Sequence, residues 1–189
     1  MQLERDRTAL LVMDLQKEII PMLGDKGPAL LERTASLIKA ARTANIPVIY
    51  VVVGFRHGYP EVSPNNVGFS AAKASGRMQG VTAADIDSRV APTGDEPTVI
   101  KRRVNAFWQT DMDMILRAKG VTHLMLTGVS TSGVILSTST YAADADYKLT
   151  IVKDCVMDTD EEVHRVLIEK ILAKRSQMTT AEEVIAALQ

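Results

Sequence analysis

An aspartate and a lysine each stand at the end of an apolar run. Asp14 follows the letters ALLVM, and Lys101 closes the letters TVI. A carboxylate and an ammonium group at the ends of two parallel strands can meet in one crevice, where each keeps the other ionised and one can act as a general acid or base. The alternative is that both are simply the first solvated residue after a strand.

A second candidate is the stretch GVSTSGVILSTSTYAADADY, residues 128–147, which begins like the end of a strand and continues like the start of a helix. Many α/β enzymes hold a nucleophile at such a turn. Ser130, Thr131 and Ser132 place hydroxyls there, but a hydroxyl attacks only with an adjacent base. Capping the helix and hydrogen-bonding a ligand are the alternative roles. The single cysteine, Cys155, lies outside the turn, and a free cysteine is ordinarily a small apolar packing residue.

The elements that must position these residues alternate along the chain. Nearly continuous apolar runs predict strands that are buried on both faces of a parallel sheet, at 8–14, 47–53, 98–101, 123–129 and 149–154, with a weaker one at 176–180. Helical periodicity predicts helices at 28–45, 110–120 and 159–175, and a terminal helix follows from residue 181. The alternation indicates an open, doubly wound α/β sheet that binds ligands at the carboxyl ends of its strands.

Residues 54–97 interrupt this alternation with a long connection rich in Gly, Pro, Ser and Asn. A connection of that length in a compact domain is usually functional or mobile, so we expect a lid over a site. The alternative is a surface excursion with one short helix. Arg56, His57, Tyr59 and Glu61 could face a substrate from this segment.

Composition excludes several classes of protein. The 189 residues are 46% hydrophobic and carry a formal net charge of −1, which predicts a single domain with a full core over residues 1–189. No run of basic residues suggests binding to nucleic acid. No apolar stretch is long enough for a membrane span or shaped like a signal peptide, and the lone cysteine fits a reducing, cytoplasmic location.

Three segments resemble the isochorismatase-like, or cysteine hydrolase, superfamily, which contains nicotinamidases, N-carbamoylsarcosine amidohydrolases and isochorismatases. The segments are TALLVMDLQ, residues 98–138 and YKLTIVKDCVMD. Their motifs are Asp14 with Gln16, Lys101 four residues before the step Asn105–Phe107, and Gly128 with Val129 entering a helix. The resemblance covers about residues 8–180 and is weakest in the connection. It implies a three-layer α/β/α fold with a six-stranded parallel sheet in the order 3-2-1-4-5-6.

The resemblance also implies a mechanism, which this chain cannot follow in full. In cysteine-dependent members a Cys attacks a carbonyl, the Asp takes the thiol proton, the Lys holds the Asp, and N–H groups of the turn form the oxyanion hole. That Cys lies six residues after the Gly and four before a Thr. Counting from Gly128 and from Thr138 gives Val134 both times. The turn with Val129, Ser130, Gly133 and Val134 is therefore expected to line the site without a thiol.

Isochorismatases provide a precedent for a site without the cysteine, because they carry Gly there and hydrolyse a vinyl ether with the Asp as the acid/base group. We therefore expect a hydrolase of a vinyl ether, amide or ester that uses Asp14 and Lys101. Two alternatives stay open: a catalytically inactive small-molecule binding or oligomeric scaffold protein of the same fold, and a hydrolase whose nucleophile is Cys155 or a turn hydroxyl.

The substrate contacts and partners are weaker expectations. Residues that could contact a small-molecule substrate are Gln16, Arg56, Tyr59, Phe107 and Trp108. Nicotinamidases bind a metal through an Asp-x-His pair and a further His, whereas this chain offers only His57 in that region, so we predict no metal and no other cofactor. The resemblance implies a homo-oligomer, either a dimer or a tetramer.

Overall fold

A computed structural model describes residues 3–189. Its centre is one sheet of six strands: β1 Thr8–Met13, β2 Val48–Val53, β3 Thr98–Lys101, β4 His123–Val129, β5 Lys148–Met157 and β6 Gln177–Thr179. All neighbouring strands pair in parallel, in the order β3-β2-β1-β4-β5-β6. The predicted strand order and the predicted parallel sheet are confirmed.

The three central strands explain why the runs of apolar letters are continuous. Every residue of β1, β2 and β4 is buried. Alternate side chains point to opposite faces, so both faces of these strands must be covered by helices and both must be apolar. In the register, Leu11 lies beside Ile49 of β2 and beside Leu126 of β4. The sheet is therefore the middle layer of three.

Residues 3–189 contain six α-helices around the sheet: α1 Gly27–Thr43, α2 Val67–Ala74, α3 Met112–Ala118, α4 Leu136–Asp144, α5 Glu161–Val166 and α6 Ala181–Leu188. Leu30 and Leu37 of α1 pack with Val184 of α6 on one face of the sheet. Met112 and Leu116 of α3 pack with Ala142 of α4 on the other. Among the described residues, no helix is both long enough and apolar enough to cross a membrane.

Local chemistry sets where the helices begin. The Asp160 carboxylate accepts hydrogen bonds from the N–H groups of Glu162 and Val163, which caps α5. Thr180 and Glu183 form a reciprocal capping box at the start of α6. The predicted helix 159–175 is less regular than expected, because α5 continues as one wide turn, Leu167–Ile171, and one tight turn, Leu172–Lys174. Strand β5 extends beyond the predicted 149–154 to Met157.

The long connection is folded onto the body of the protein. It contains α2 and two short 3-10 turns, Ala83–Asp85 and Ser88–Val90. The Arg77 guanidinium donates to the Glu18 carboxylate at 2.9 Å, which ties the connection to the segment that follows β1. Phe55 of this segment packs against Tyr59 in a tilted arrangement and against Phe69 edge to face, in a small apolar cluster. The segment therefore has its own packing; whether it moves as a lid stays a prediction.

Candidate active site

Asp14 stands directly after β1 in a left-handed backbone conformation, with a φ of 57°. Asp and Asn adopt this region more readily than other non-glycine residues. The Asp14 N–H still donates to the Val51 carbonyl at 2.8 Å, as a strand residue would. The chain therefore leaves the sheet at Asp14 itself, at the carboxyl end of the central strand.

Lys101 is the last residue of β3, and its side chain reaches the same place. The Lys101 Nζ lies 2.9 Å from Asp14 Oδ2 and donates to the Arg103 carbonyl at 3.2 Å. Only 4% of Asp14 and 2% of Lys101 is exposed. A buried charge needs a partner, and here each residue supplies it for the other. The two residues are brought together as an ion pair, which we call the Asp14–Lys101 pair.

Burial raises the pKa of Asp14 above its ordinary value of 3.8, and the positive charge of Lys101 opposes that rise. The two carboxylate oxygens differ in their contacts. Oδ2 is held by Lys101, whereas Oδ1 is buried and has no hydrogen-bond partner among the described residues. An acceptor of this kind is costly unless a ligand or water donates to it. The raised pKa and the free oxygen both suit proton transfer.

The turn after β4 brings its backbone against β1. A Cβ atom on Gly128, which has a φ of 130°, would overlap the backbone of Met13. Ser130 follows a cis peptide bond, and its Oγ accepts from the Gly133 N–H at 3.1 Å. The Ser130 carbonyl accepts from the Ile135 N–H. Ser130 therefore caps the wide turn Thr131–Ile135 that leads into α4. Helix capping was one of the two roles predicted for the hydroxyls of this turn.

Val134 is the residue that the motif spacing predicts at the position of the cysteine. It is 2% exposed and lines one cavity together with Asp14, Lys101 and Ser130. Val129 and Gly133 line this cavity as well, so the residues predicted for the turn and for the pair meet in one place. Asp14 and Lys101 line this cavity together with Val134, so the valine does not separate the pair from it.

Cys155 cannot replace the missing thiol. It is fully buried in the core that packs on α1, among residues such as Leu30 and Val152, and it does not line the cavity. Burial raises the pKa of its thiol to about 12. A thiol that stays protonated inside the core is not a nucleophile, so the structure argues against the cysteine alternative.

The cavity has a volume of about 330 Å³ and is mostly apolar. Beyond the turn and the pair, it has an apolar wall formed by Ile19, Met22, Leu23, Phe69, Met78 and Val104. Phe69 and Met78 belong to the long connection, which therefore forms part of the wall. A concave apolar site with a few convergent polar groups is the usual form of a small-molecule site.

Asp158, which follows β5, is a cavity residue that the sequence analysis missed. Its Oδ2 accepts from the Ser132 N–H at 2.7 Å, and its Oδ1 accepts from the Thr159 N–H at 2.9 Å. Burial acts to raise the pKa of Asp158, but these hydrogen bonds outweigh burial and hold the pKa below its ordinary value. Asp158 is therefore a carboxylate at neutral pH. The sequence analysis missed Asp158 because the predicted strand ended at residue 154, whereas β5 continues to Met157, directly before it.

Gln16 has a structural task rather than a place in the cavity. Its side-chain Nε2 donates to the Val53 carbonyl at 3.1 Å, and its Oε1 accepts from the Val53 N–H at 2.7 Å. Gln16 is 1% exposed and is not among the residues that line the cavity. In the motif of an Asp followed two residues later by a Gln, the Gln thus fixes the backbone after the Asp to strand β2.

The other predicted contacts lie elsewhere. Arg56 and Trp108 line a separate cavity of about 380 Å³, where Arg56 pairs with Glu61. The Tyr59 hydroxyl donates to the Arg77 carbonyl, and Phe107 stacks on Tyr141 at 4.9 Å in the core. The geometry gives no support to a contact between these side chains and a substrate at the Asp14–Lys101 pair.

The step Asn105–Phe107 supports the site from behind. Asn105 Nδ2 donates to the Ser137 carbonyl, and its Oδ1 accepts from the Phe107 N–H. The Ala106 N–H donates to the Thr138 hydroxyl at 3.1 Å. These bonds fix the loop after Lys101 to the helix after Val134.

The histidines stand apart from the pair. His57 bonds Gln79 at 2.7 Å in the connection, His123 bonds Thr150 at 2.8 Å inside the sheet, and His164 bonds Thr131 at 2.8 Å. Within residues 3–189, no three His, Cys, Asp or Glu side chains stand close enough to hold a metal ion.

Comparison with known proteins identifies what this arrangement is similar to. The family model described as the isochorismatase domain matches residues 8–183. The chain is 28% identical to an uncharacterized isochorismatase family protein of Escherichia coli, YecD, over the whole of both chains. It is 26% identical to a maleamate amidohydrolase of Pseudomonas putida, covering 96% of this chain and 87% of that one. It is also 28% identical to a probable inactive nicotinamidase of Arabidopsis thaliana, covering 83% and 84%.

Solved structures share the fold. A cysteine hydrolase of Pseudomonas syringae superposes with a TM-score of 0.87 at 22% identity, covering 98% of this chain and 94% of that one. At this identity the likeness establishes the arrangement of the chain and not the reaction.

Proposed function

The chain belongs to the isochorismatase family, and we propose that it is a hydrolase of a small molecule in which Asp14 carries the acid/base chemistry without a covalent nucleophile. The bond that it cleaves is an amide, an ester or a vinyl ether. All three bonds require a group that can both take and give a proton.

The observation that carries this proposal is the asymmetry of the Asp14 carboxylate. Oδ2 is bound by Lys101, and Oδ1 is buried without a partner among the described residues, in a residue that lines the 330 Å³ cavity. In our proposal a water molecule or a substrate group in the cavity donates to Oδ1. Because burial raises the pKa of this carboxyl, it exchanges a proton more readily near neutral pH than an exposed aspartate does.

In the hydrolysis of an amide or ester, Asp14 removes one proton from a water molecule while the water oxygen bonds to the carbonyl carbon. Lys101 balances the charge of the carboxylate and holds it in place. Asp14 then returns the proton to the leaving nitrogen or oxygen, and the bond between that atom and the carbon breaks. With a vinyl ether, the protonated form of Asp14 first gives its proton to the alkene carbon, and water then adds to the adjacent, oxygen-bearing carbon and gives one proton back to Asp14. The bond between that carbon and the ether oxygen then breaks, which releases an alcohol and leaves a carbonyl.

The turn at Val134 supplies the surroundings for this step. N–H groups at the start of a helix favour a developing negative charge. The Gly133 N–H is already bonded to Ser130, and the Ser132 N–H is bonded to Asp158. In our proposal the substrate carbonyl therefore lies against the remaining backbone of the turn, above the methyl groups of Val134.

Replacing Asp14 tests the proposal. Asp14→Asn keeps the side-chain shape and the tolerance for a left-handed backbone, and we expect it to lower kcat/KM at least about a hundredfold, the typical contribution of a general base. Asp14→Glu is the matched control, because it retains a displaced carboxylate and is expected to keep measurable turnover. Thermal unfolding of both variants shows that they are folded. Unchanged turnover in Asp14→Asn would show the proposed mechanism to be wrong.

A second candidate function is small-molecule binding without catalysis. One observation favours it, namely the nearly complete burial of the Asp14–Lys101 pair, and the prediction that Val134 stands in the place of the thiol agrees with it. The name of the relative from Arabidopsis thaliana, a probable inactive nicotinamidase, points in the same direction. A ligand that binds in the cavity and is recovered intact after long incubation would favour this function over hydrolysis.

A further inference from the structure

We infer that the cavity selects neutral, largely apolar substrates and rejects those that carry a carboxylate. This inference rests on the proposed function, because it calls the ligands of the cavity substrates. The selection itself is a property of the cavity, and it can be measured by binding alone.

The charges in the cavity do not cancel. Asp14 and Lys101 neutralise each other at 2.9 Å. Asp158 adds a further negative charge, and its oxygens accept from the N–H groups of Ser132 and Thr159.

Two cations line the neighbouring cavity beside Asp158, but each has a carboxylate of its own: Lys26 pairs with Glu161, and Arg165 pairs with Glu169. The described lining residues of the candidate site itself include no arginine and no histidine. The sum is one negative charge in a site with low-dielectric walls, where charges act strongly.

An anionic substrate would therefore find no uncommitted cationic side chain among the described lining residues. Binding of a carboxylate normally uses an arginine, which offers paired donors, or a free lysine. Among the described lining residues Lys101 is the only cation, and its ammonium group is already bound to Asp14 and to the Arg103 carbonyl. A carboxylate in the cavity would lose its hydration and face Asp158.

Arginines do lie nearby, but they are committed elsewhere. Arg102 donates to the Gly54 carbonyl and pairs with Glu61, and Arg103 donates to the Glu61 carbonyl. Both line the separate cavity near Trp108. Neither arginine lines the candidate site, so the apolar wall defined above is the surface that contacts the rest of the substrate.

The apolar wall favours an aliphatic or aromatic group. Met22, Leu23 and Phe69 offer hydrophobic surface, and burial of apolar area contributes about 25 cal/mol per Å². The volume of about 330 Å³ lies at the small end of ligand sites, which span about 300–1,000 Å³. We therefore expect a compact uncharged acyl group.

Matched compounds test the charge preference in two measurements. The first is ammonia release from hexanamide, from the monoamide of adipic acid, and from the ω-amino analogue of hexanamide, which have similar lengths and differ in charge. The second is calorimetric binding of methyl pentyl ketone and of its ω-carboxylate analogue, which cannot be hydrolysed. We expect the neutral ketone to bind at least about tenfold more tightly than the anionic one, and the neutral amide to have the highest kcat/KM.

Adding a positive charge to the apolar wall should weaken the preference for the neutral ligand. Val104→Lys places a cation in the wall, and we expect it to lower the neutral-to-anionic ratio of binding constants by about tenfold. Val104→Met is the matched control, with a similar length and no charge, and its ratio should stay that of the unmodified protein. A ratio that shifts equally in both variants would mean that shape and not charge decides.

The outcomes separate the two proposals. Tighter binding of the neutral ketone without turnover of any amide, or of the corresponding ethyl esters, would uphold the charge preference and count against the hydrolase. Equal or tighter binding of the anionic ketone would overturn the charge preference, and so would absence of binding by both ketones. Preferred turnover of the ω-amino compound would overturn it in favour of a cationic substrate.

Discussion

The Nζ atom of Lys101 lies 2.9 Å from Oδ2 of Asp14, with both side chains almost fully buried. Burial removes most of the hydration of both charges, so each charged group depends on the other for stabilisation. This mutual dependence makes the pair measurable by removing its members singly and together.

Replacing Lys101 alone should lower the free energy of unfolding, and part of this loss should disappear when Asp14 is replaced as well. We expect Lys101→Met to lower the free energy of unfolding by about 3 kcal/mol at pH 7, because it leaves a buried carboxylate unpaired. The double variant Asp14→Asn/Lys101→Met should show a coupling of about 2 kcal/mol relative to the sum of the single losses. Urea unfolding of the four proteins measures it. Strict additivity would show that the contact contributes nothing.

The rate of hydrolysis should depend on pH through Asp14. A general base must be deprotonated, so kcat/KM for a hydrolysed amide or ester should rise with pH. Because burial raises the Asp14 pKa, the midpoint of this rise should lie above 3.8. Lys101 opposes the shift, and Lys101→Met should therefore move the midpoint further upward in any activity that remains. Circular dichroism at each pH excludes unfolding as the cause, and a midpoint at or below 3.8 would contradict the assignment.

The position of Val134 can be tested with a thiol. In Val134→Cys we expect iodoacetamide to label the folded protein, because the new side chain faces a cavity that contains Asp14. The native cysteine provides an internal control, since Cys155 is buried with a thiol pKa raised to about 12 and should react only after unfolding. Intact-mass measurement counts the adducts. Native labelling of Cys155 in the unmodified protein would contradict the placement of the two side chains.

His123 should limit stability in mild acid. Burial lowers its pKa from 6.5 to about 4, so the folded state keeps this ring neutral while the unfolded chain binds a proton. Stability is therefore lost as pH falls from about 6.5 towards 4, by about 2 kcal/mol at pH 5. His123→Gln, whose amide can still bond Thr150, should lack this loss. Urea unfolding at pH 7.5 and pH 5 compares the two proteins, and an equal loss in both would exclude His123 as its source.

Gly128 should tolerate no side chain. Gly128→Ala adds a Cβ that overlaps the Met13 backbone, and we expect a loss of at least about 3 kcal/mol or failure to fold. Gly94→Ala is the matched control, because Gly94 also has a positive φ, +59°, but nothing lies within 4 Å of the added atom. That substitution should cost only about 1 kcal/mol. Equal losses would mean that backbone conformation, and not the approach of the two strands, decides.

Much of the fold was readable from the sequence because the strands are buried on both faces. The run 123–129 is wholly apolar or small apart from His123 and Thr127, and it forms β4 with the same bounds. The carboxyl end of a parallel strand is also predictable, which is why Asp14 and Lys101 were expected to meet. Periodicity cannot state how far a partner strand extends, and β5 runs on to Met157, directly before the missed Asp158.

Substrate contacts were less accessible from sequence, because they depend on where side chains of loops point. Arg56 and Trp108 look like binding residues by type, yet they face another cavity beside Glu61. Phe107 follows the motif around Lys101 and stacks in the core. Residue type indicates what a side chain can do, whereas its neighbours in the fold determine which surface it serves.

The two hydrogen bonds between Gln16 and Val53 copy the pairing of one more peptide unit beside β2. With the Asp14 N–H bound to Val51, the backbone is anchored on both sides of the Asp14 side chain. The chain segment that carries this carboxylate is therefore placed when the protein folds, and Lys101 holds one of its oxygens. For the proposed acid/base role of Asp14, this anchoring is preorganisation, because the position of the group is set before a ligand arrives.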